Sequence, residues 1–268
     1  MPRATASPTL RRVTQPPRFN VLGVGVHALS LAEARDRLIA VHGRKQAGCV
    51  FATGVHGVSE AQRDPVLRDI VNRAWLNCPD GMPLVWLGRW HGHRSITRVY
   101  GPDLMLAVCD VGRAVGLTHY FYGGAPGVAE SLREKLAARF PGLAVVGTFT
   151  PPFRAPTPEE FAALQADIAA KKPDLVWIGL STPKQERFAA AVAPQLDAGA
   201  LVTVGAAFDF HSGRVRQAPR WMQRSGLEWL HRLGTEPRRL ARRYLVNNPL
   251  FVIRTFAQLT GLRRYPLD

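Results

Sequence analysis

From Phe19 to Ala206 the chain alternates short apolar runs, rich in β-branched and aromatic residues, with longer stretches of helical periodicity. That alternation constrains the fold more than any other feature. Two parallel strands can lie side by side only after a crossover of a dozen or more residues, and a helix is the usual crossover. The pattern predicts strands at 19–26, 49–53, 118–122, 143–148, 174–180 and 201–206. It predicts helices at 31–41 with Ser30 as N-cap, at 58–74, at 126–139 with a proline early, at 158–171, and after Ser181, Thr182 and Pro183. The expected fold is therefore α/β, a Rossmann-like and mostly parallel sheet covered by helices, spanning residues 19–210. No internal repeat interrupts it.

Residues 211–268 read differently. They show no convincing strand, and helices are expected at 219–233, 237–245 and 247–262. Trp221, Trp229, Leu230, Leu233, Leu240, Tyr244 and Phe251 alternate with arginines, which describes a helical appendage with one apolar and one cationic side. The charge is concentrated to match. The whole chain carries 35 Lys+Arg against 20 Asp+Glu, a net +15, and only five of the basic residues are lysines. Residues 1–18 hold four arginines and no acid, and 211–268 hold twelve arginines against Glu228, Glu236 and Asp268, while 19–210 is near neutral at +2. A basic segment of this kind seeks a polyanion, either nucleic acid or an anionic membrane surface. Residues 1–18 lack the apolar stretch of a secretory signal and read as a disordered basic arm. No run approaches the ~20 apolar residues of a spanning helix.

At 46% hydrophobic and 21% charged, the composition excludes a disordered chain, a collagen repeat and a coiled-coil rod. Cys49, Cys78 and Cys109 are scattered, which points away from a disulfide framework or structural zinc and toward a reducing compartment. Gly23-Val24-Gly25 lacks the third glycine and the downstream acid of a dinucleotide site, so it reads as a strand end. Residues 121–128, FYGGAPGV, run from a strand through Gly123 and Gly124 into a helix start. Such a turn can cradle an anion, or it can simply be a tight βα connection. Residues 181–186, STPKQE, open another helix after a strand, with Lys184 and Gln185 in reach of a phosphate, a sugar or a base edge. A capping motif with a solvated charge pair is the plainer alternative. Asp80 sits in a Pro-Asp-Gly turn among apolar neighbours, a commonplace loop that can also raise a carboxyl pKa and make a general base. Asp209, in FDFHSG after the last strand, is a second carboxylate candidate. His91 and His93 have metal-like spacing without a third ligand and read as a surface pair, and no Asp-x-Asp offers a divalent metal site.

Six segments in order resemble the WecG/TagA/CpsF family, glycosyltransferase family 26: RDPVLRDIVNRAWLNCPDGMPLVW (63–86), RVYGPDLM (98–105), YGGAPGVAE (122–130), PDLVWIGLSTPKQERF (173–188), VGAAFDFHSGRVRQAPRWMQRSGLEWLHRL (204–233) and EPRRLARRYLVNNP (236–249). The resemblance covers about residues 19–255. It implies transfer of a sugar from a UDP-sugar to a polyprenyl-diphosphate-linked sugar, with inversion and without a metal or other cofactor. The setting it implies is the cytoplasmic face of the cell membrane, in cell-surface polysaccharide synthesis. The family's proposed general base falls on Asp80, its nucleotide-site glycines on Gly123 and Gly124, the glutamine of its PKQE motif on Gln185, and the aspartate after the last strand on Asp209. Arg98, Gly101 and Asp103 occupy its RVxGxDL motif. The chain departs from the family at residues 52–54. There Ala52 and Gly54 replace a threonine and an asparagine that face the site, and Thr53 is expected to point away. MPLVW and RVYGPDLM resemble exopolysaccharide enzymes and favour a UDP-hexose such as UDP-glucose.

The leaving diphosphate then calls for helix N-termini and arginines, with Arg98, Arg214, Arg216, Arg232, Arg239 and Arg243 as candidates. The appendage is expected to hold the enzyme on an anionic membrane. A homo-oligomer is compatible with all of this. Two rivals carry less. A nucleic-acid-binding protein fits the charge, but no helix-turn-helix, zinc finger or RNP signature is present, and tryptophans among the arginines suit lipid better than nucleic acid. An NAD-dependent oxidoreductase fits only the βαβ pattern.

Overall fold

The structure is a computed structural model that describes residues 15–44, 48–154 and 156–267, with the backbone alone at Arg239. Most of the basic arm expected at 1–18 lies outside the described residues. In chain order the elements are β1 (Arg18–Val21), β2 (Val24–His27), α1 (Leu31–Ile39), β3 (Gly48–Thr53), α2 (Val55–Ala61), α3 (Pro65–Asn72), β4 (Leu76–Pro79), α4 (Met82–Trp90), α5 (Gly101–Gly112) and β5 (Thr118–Gly123). They continue as α6 (Val128–Arg139), β6 (Ala144–Phe149), α7 (Pro158–Lys171), β7 (Leu175–Gly179), α8 (Lys184–Val192), β8 (Ala200–Thr203), α9 (Ala207–His211), α10 (Arg220–Arg224), α11 (Glu228–Thr235) and α12 (Pro237–Leu259).

Among the described residues, six strands form one sheet in the order β4-β3-β8-β7-β5-β6, and every neighbouring pair is parallel. The α/β expectation holds. The central strands are buried on both faces, which is why they read as unbroken apolar runs. In β5 and β7, Tyr120, Tyr122, Val176 and Ile178 join one core, while Phe121, Leu175 and Trp177 join the other. Capping sets the helix starts. Ser30 accepts from the Glu33 amide and the Glu33 carboxylate accepts from the Ser30 amide, a reciprocal pair repeated by Thr157 and Glu160 on α7.

The structure corrects several boundaries. The strand expected at 19–26 is an antiparallel hairpin, because Leu22 and Gly23 both take positive φ (53° and 78°) and turn the chain back. The Gly23-Val24-Gly25 glycines therefore belong to this hairpin. The helix expected at 58–74 is two helices, since Asp64 caps a new start at Pro65. The turn around Asp80 is preceded by an unanticipated strand, β4. The strand expected at 201–206 ends at Thr203, and the helix expected at 219–233 breaks at Gly226 (φ 75°). The two last helices are one, α12, which continues across Pro249.

The C-terminal helices pack against the core. Asn247 on α12 donates to His56 Nδ1 (3.2 Å) and accepts from Arg63 (2.8 Å). Further on, Gln258 accepts from the Leu22 amide (2.9 Å) and donates to the Asn20 carbonyl (3.2 Å). The hairpin turn and α2 are thus the fixed points that hold α12 along one side of the sheet's C-terminal edge.

Candidate active site

In a parallel sheet every strand delivers its following turn to the same edge, and ligands bind there. Here the turns after β3, β4, β5, β7 and β8 open into one cleft of about 1770 Å³, whose far wall is built from α10, α11 and α12. Ala52 and Gly54 line it and Thr53 is buried away from it, as the alternation of an extended segment requires.

Asp80 follows the last residue of β4. Its amide donates to the Thr53 carbonyl (3.0 Å), which prolongs the β3–β4 pairing by one step and fixes the backbone. Its carboxylate Oδ1 accepts from the Gly101 amide at the start of α5 (3.3 Å) and lies 4.0 Å from the Arg98 guanidinium, and the side chain is 28% exposed. Burial pushes this carboxyl up to about 6. Arg98 opposes that shift, Glu228 adds to it, and the Gly101 amide and Arg232 oppose it. A carboxylate with that pKa is ionised at neutral pH yet keeps real affinity for a proton, which is what a general base needs.

Arg98, expected among the acceptor- or phosphate-binding residues, lines the cleft and is held by partners within the protein. Its Nε donates to the Asp80 carbonyl, its NH2 donates to Glu228 Oε2 (2.6 Å), and its guanidinium lies over the Tyr100 ring at 3.9 Å. Tyr100 donates its hydroxyl to Glu228 Oε1 (2.7 Å). Tyr100 and Glu228 were not singled out in the sequence. Each lies inside a segment quoted for the resemblance, and Glu228 is one of only three acids in the basic C-terminal stretch.

Across the cleft from Asp80, the β5–α6 turn is stitched to β7. The Gly124 amide donates to the Gly179 carbonyl (3.1 Å). Gly123 has φ 130°, and a Cβ there would sit 2.6 Å from the Gly179 oxygen. Gly124 has φ 80° and would meet Val128 at 2.8 Å. Gly124 lines the cleft and Gly123 is buried behind it. Gly123→Ala is expected to cost about 2–4 kcal/mol of stability, from backbone strain and a clash with main chain that cannot move cheaply. A urea-unfolding midpoint unchanged from wild type would contradict this account of the turn.

Gln185 is buried at the start of α8. Its Oε1 accepts from the Gly205 amide (3.1 Å), and its amide nitrogen donates to Glu186 Oε1 (2.9 Å) and Thr182 (3.3 Å). It ties the β7 and β8 turns together and forms part of the cleft floor. Asp209, on α9, lines the cleft, and among the described residues its carboxylate holds no hydrogen bond or ion pair. Arg214, Arg232 and Arg243 line the cleft as well. Arg216 does not. It is exposed on the irregular connection between α9 and α10. The side chain of Arg239 lies outside the described residues. His91 and His93 both pack on the Phe19 ring (5.8 Å each), away from the cleft. His56 was not anticipated. It lines the cleft on α2, and burial together with Arg243 pushes its pKa down to about 3, so the ring is neutral.

The sequence model of the family described as Glycosyl transferase WecG/TagA/CpsF matches residues 19–265. The chain belongs to that family. Glycosyl transfer, with a sugar donor and an acceptor, is its general role. The match runs from β1 past the end of α12, so this WecG/TagA/CpsF glycosyltransferase includes the C-terminal helices in its family body, and they supply one wall of its cleft. Among the described residues, no helix is long and apolar enough to cross a membrane.

Proposed function

We propose that this glycosyltransferase moves a hexose or N-acetylhexosamine from a UDP-sugar to a sugar carried on polyprenyl diphosphate, with inversion at the anomeric carbon. The observation that carries this reading is the placement of Asp80, a carboxyl of raised pKa, in one cleft with a glycine turn and with Arg214, Arg232 and Arg243. Asp80 takes the proton of the acceptor hydroxyl as its oxygen attacks the anomeric carbon from the face opposite UDP. The bond from that carbon to the β-phosphate oxygen breaks, and UDP leaves carrying the electron pair. Its growing charge is met by amides of the turn after β5 and by Arg214, Arg232 and Arg243. No step is assigned to a metal or other cofactor. Asp209 offers acceptor oxygens to ribose or sugar hydroxyls, and Gln185 keeps the β8 turn in place beneath them. The chain's MPLVW and RVYGPDLM segments favour an exopolysaccharide role and a hexose donor.

The acceptor's lipid sets the location, a peripheral one on the inner face of the membrane. Trp86 and Trp90 on α4 and Val252, Ile253 and Phe256 on α12 are exposed and line the cleft, and α12 also carries Arg238, Arg242, Arg243 and Arg254. Apolar groups beside cations suit an anionic bilayer interface. Calorimetric titration with UDP, UDP-hexoses and ADP tests the donor assignment. Saturable uridine diphosphate binding that survives EDTA is expected. ADP binding as tightly as UDP would overturn a uridine donor.

A further inference from the structure

We infer that Glu228, delivered by α11, is a positioning residue that holds the Arg98 guanidinium off Asp80 and so preserves Asp80 as a base. This rests on the assignment of Asp80 above and deepens it. The geometry is specific. The Arg98 side chain is only 17% exposed and needs a counter-charge, because a buried cation without a partner is strongly destabilising. Two carboxylates are within its range. Glu228 holds it at 2.6 Å and Asp80 stands back at 4.0 Å. Tyr100 locks that choice, donating to the other Glu228 oxygen (2.7 Å) while its ring backs the guanidinium. Were Glu228 uncharged, the remaining partner for Arg98 would be Asp80. A direct ion pair there would occupy the lone pairs that must accept the acceptor's proton and would weaken the base.

The other groups facing Asp80 leave this balance to Glu228. Arg232 on α11 acts in the same direction as Arg98, favouring the ionised form. Cys78 on β4 and Tyr100 are neutral at pH 7, because burial pushes the thiol up to about 12 and the phenol well above its ordinary value. The Gly101 amide donates to the carboxylate and is backbone, so no side-chain change alters it. Glu228 is the negative charge among these, and it arrives from a segment 130 residues away from Arg98 in sequence.

The test reads Asp80 itself and needs no substrate. The full-length protein, labelled with 13C at aspartate carboxyls, is titrated by NMR, and the Asp80 resonance is identified by its absence from Asp80→Asn. The wild-type midpoint is expected near 6. Glu228→Gln keeps the shape and hydrogen-bonding capacity and removes the charge, and the midpoint is expected to fall by at least one pH unit. Removing Arg98 as well, in Arg98→Gln/Glu228→Gln, is expected to return it to the wild-type value or above. A role for Glu228 in folding alone would change the amount of folded protein and leave the midpoint where it was. A Glu228→Gln midpoint equal to wild type overturns the inference. If Glu228→Gln does not fold, the double variant decides: a midpoint below wild type overturns the inference, and one at or above it upholds it. The reading of Asp80 as base fails separately, through full activity of Asp80→Asn.

Discussion

Asp80→Asn is expected to lower turnover by about a thousandfold or more while leaving UDP affinity within a few-fold of wild type. General-base catalysis contributes on the order of 10²–10⁴ in rate. Asparagine fits the same space, and its side-chain oxygen can still accept from the Gly101 amide, so the loop geometry survives. What is lost is the ability to take a proton. The same substitution carries a second signature. The Asp80 carboxyl is raised from 3.8 to about 6 in the folded protein. Between those values the folded state holds the proton more tightly than the unfolded chain, so wild-type stability falls as pH rises through that window, and the full penalty stands above it. Asparagine removes that penalty, by at most about 3 kcal/mol at 1.36 kcal/mol per pH unit. Asp80→Asn is therefore expected to melt higher than wild type at pH 8 and to lose the advantage below about pH 4. A variant that is inactive and less stable at pH 8 would point to a broken fold and would remove the support for a base. Near-wild-type turnover would end the assignment outright.

Replacing Val252, Ile253 and Phe256 together by aspartate is expected to abolish binding to vesicles that contain anionic lipid, a loss of a hundredfold or more. These side chains on α12 are each more than 60% exposed, so they contribute little to the folded core in solution, and their substitution leaves the fold intact. Burying one such side chain in an apolar phase is worth roughly 1.5–3 kcal/mol, and three added acids also repel an anionic surface. Arginines supply the remaining attraction, so wild-type binding is expected to weaken as salt rises. Sedimentation with vesicles of phosphatidylglycerol and phosphatidylcholine measures both effects. Undiminished binding of the triple variant would move the membrane surface elsewhere on the molecule. Binding to oligonucleotides rather than vesicles would reopen the nucleic-acid alternative.

The parts of the fold that were legible are those whose cause is local. β5 and β7 are buried on both faces and announce themselves as apolar runs, and Ser30 marks its helix through a partner three residues on. β4 was missed because Asn77 and Pro79 make Leu76–Pro79 look like a loop. Asn77 is tolerated there only because its side chain donates to the Gly25 carbonyl (2.9 Å) and its amide to His27 Nδ1 (2.8 Å), partners some fifty residues distant. Leu22-Gly23 carries none of the asparagine-glycine chemistry that usually signals a hairpin, and contacts from Gln258 and Gln62 hold the turn instead. At Pro249 the local signal was real but outweighed, because α12 is fastened on both sides of that residue, by Asn247 and by Gln258.

The candidate site divides along the same line. Asp80, Gly124, Gln185 and Asp209 stood out because each lies in the turn or the first helical residues after a strand, where the topology gathers side chains, and all four line the cleft. Glu228 could not be found that way. Its meaning comes from Arg98 and Tyr100, and no periodicity links an acid in a basic helix to a loop 130 residues earlier.

The central claim is transfer from a uridine-diphosphate sugar to a lipid-linked sugar in the cleft that holds Asp80. The most direct measurement is UDP release by the full-length protein from a panel of UDP-sugars, with and without a short-chain polyprenyl-diphosphate sugar, in detergent and in the presence of EDTA. The account predicts release from a single preferred donor, dependent on the lipid acceptor, insensitive to EDTA and absent in Asp80→Asn. Release that needs no acceptor, or that Asp80→Asn sustains at the wild-type rate, would contradict it.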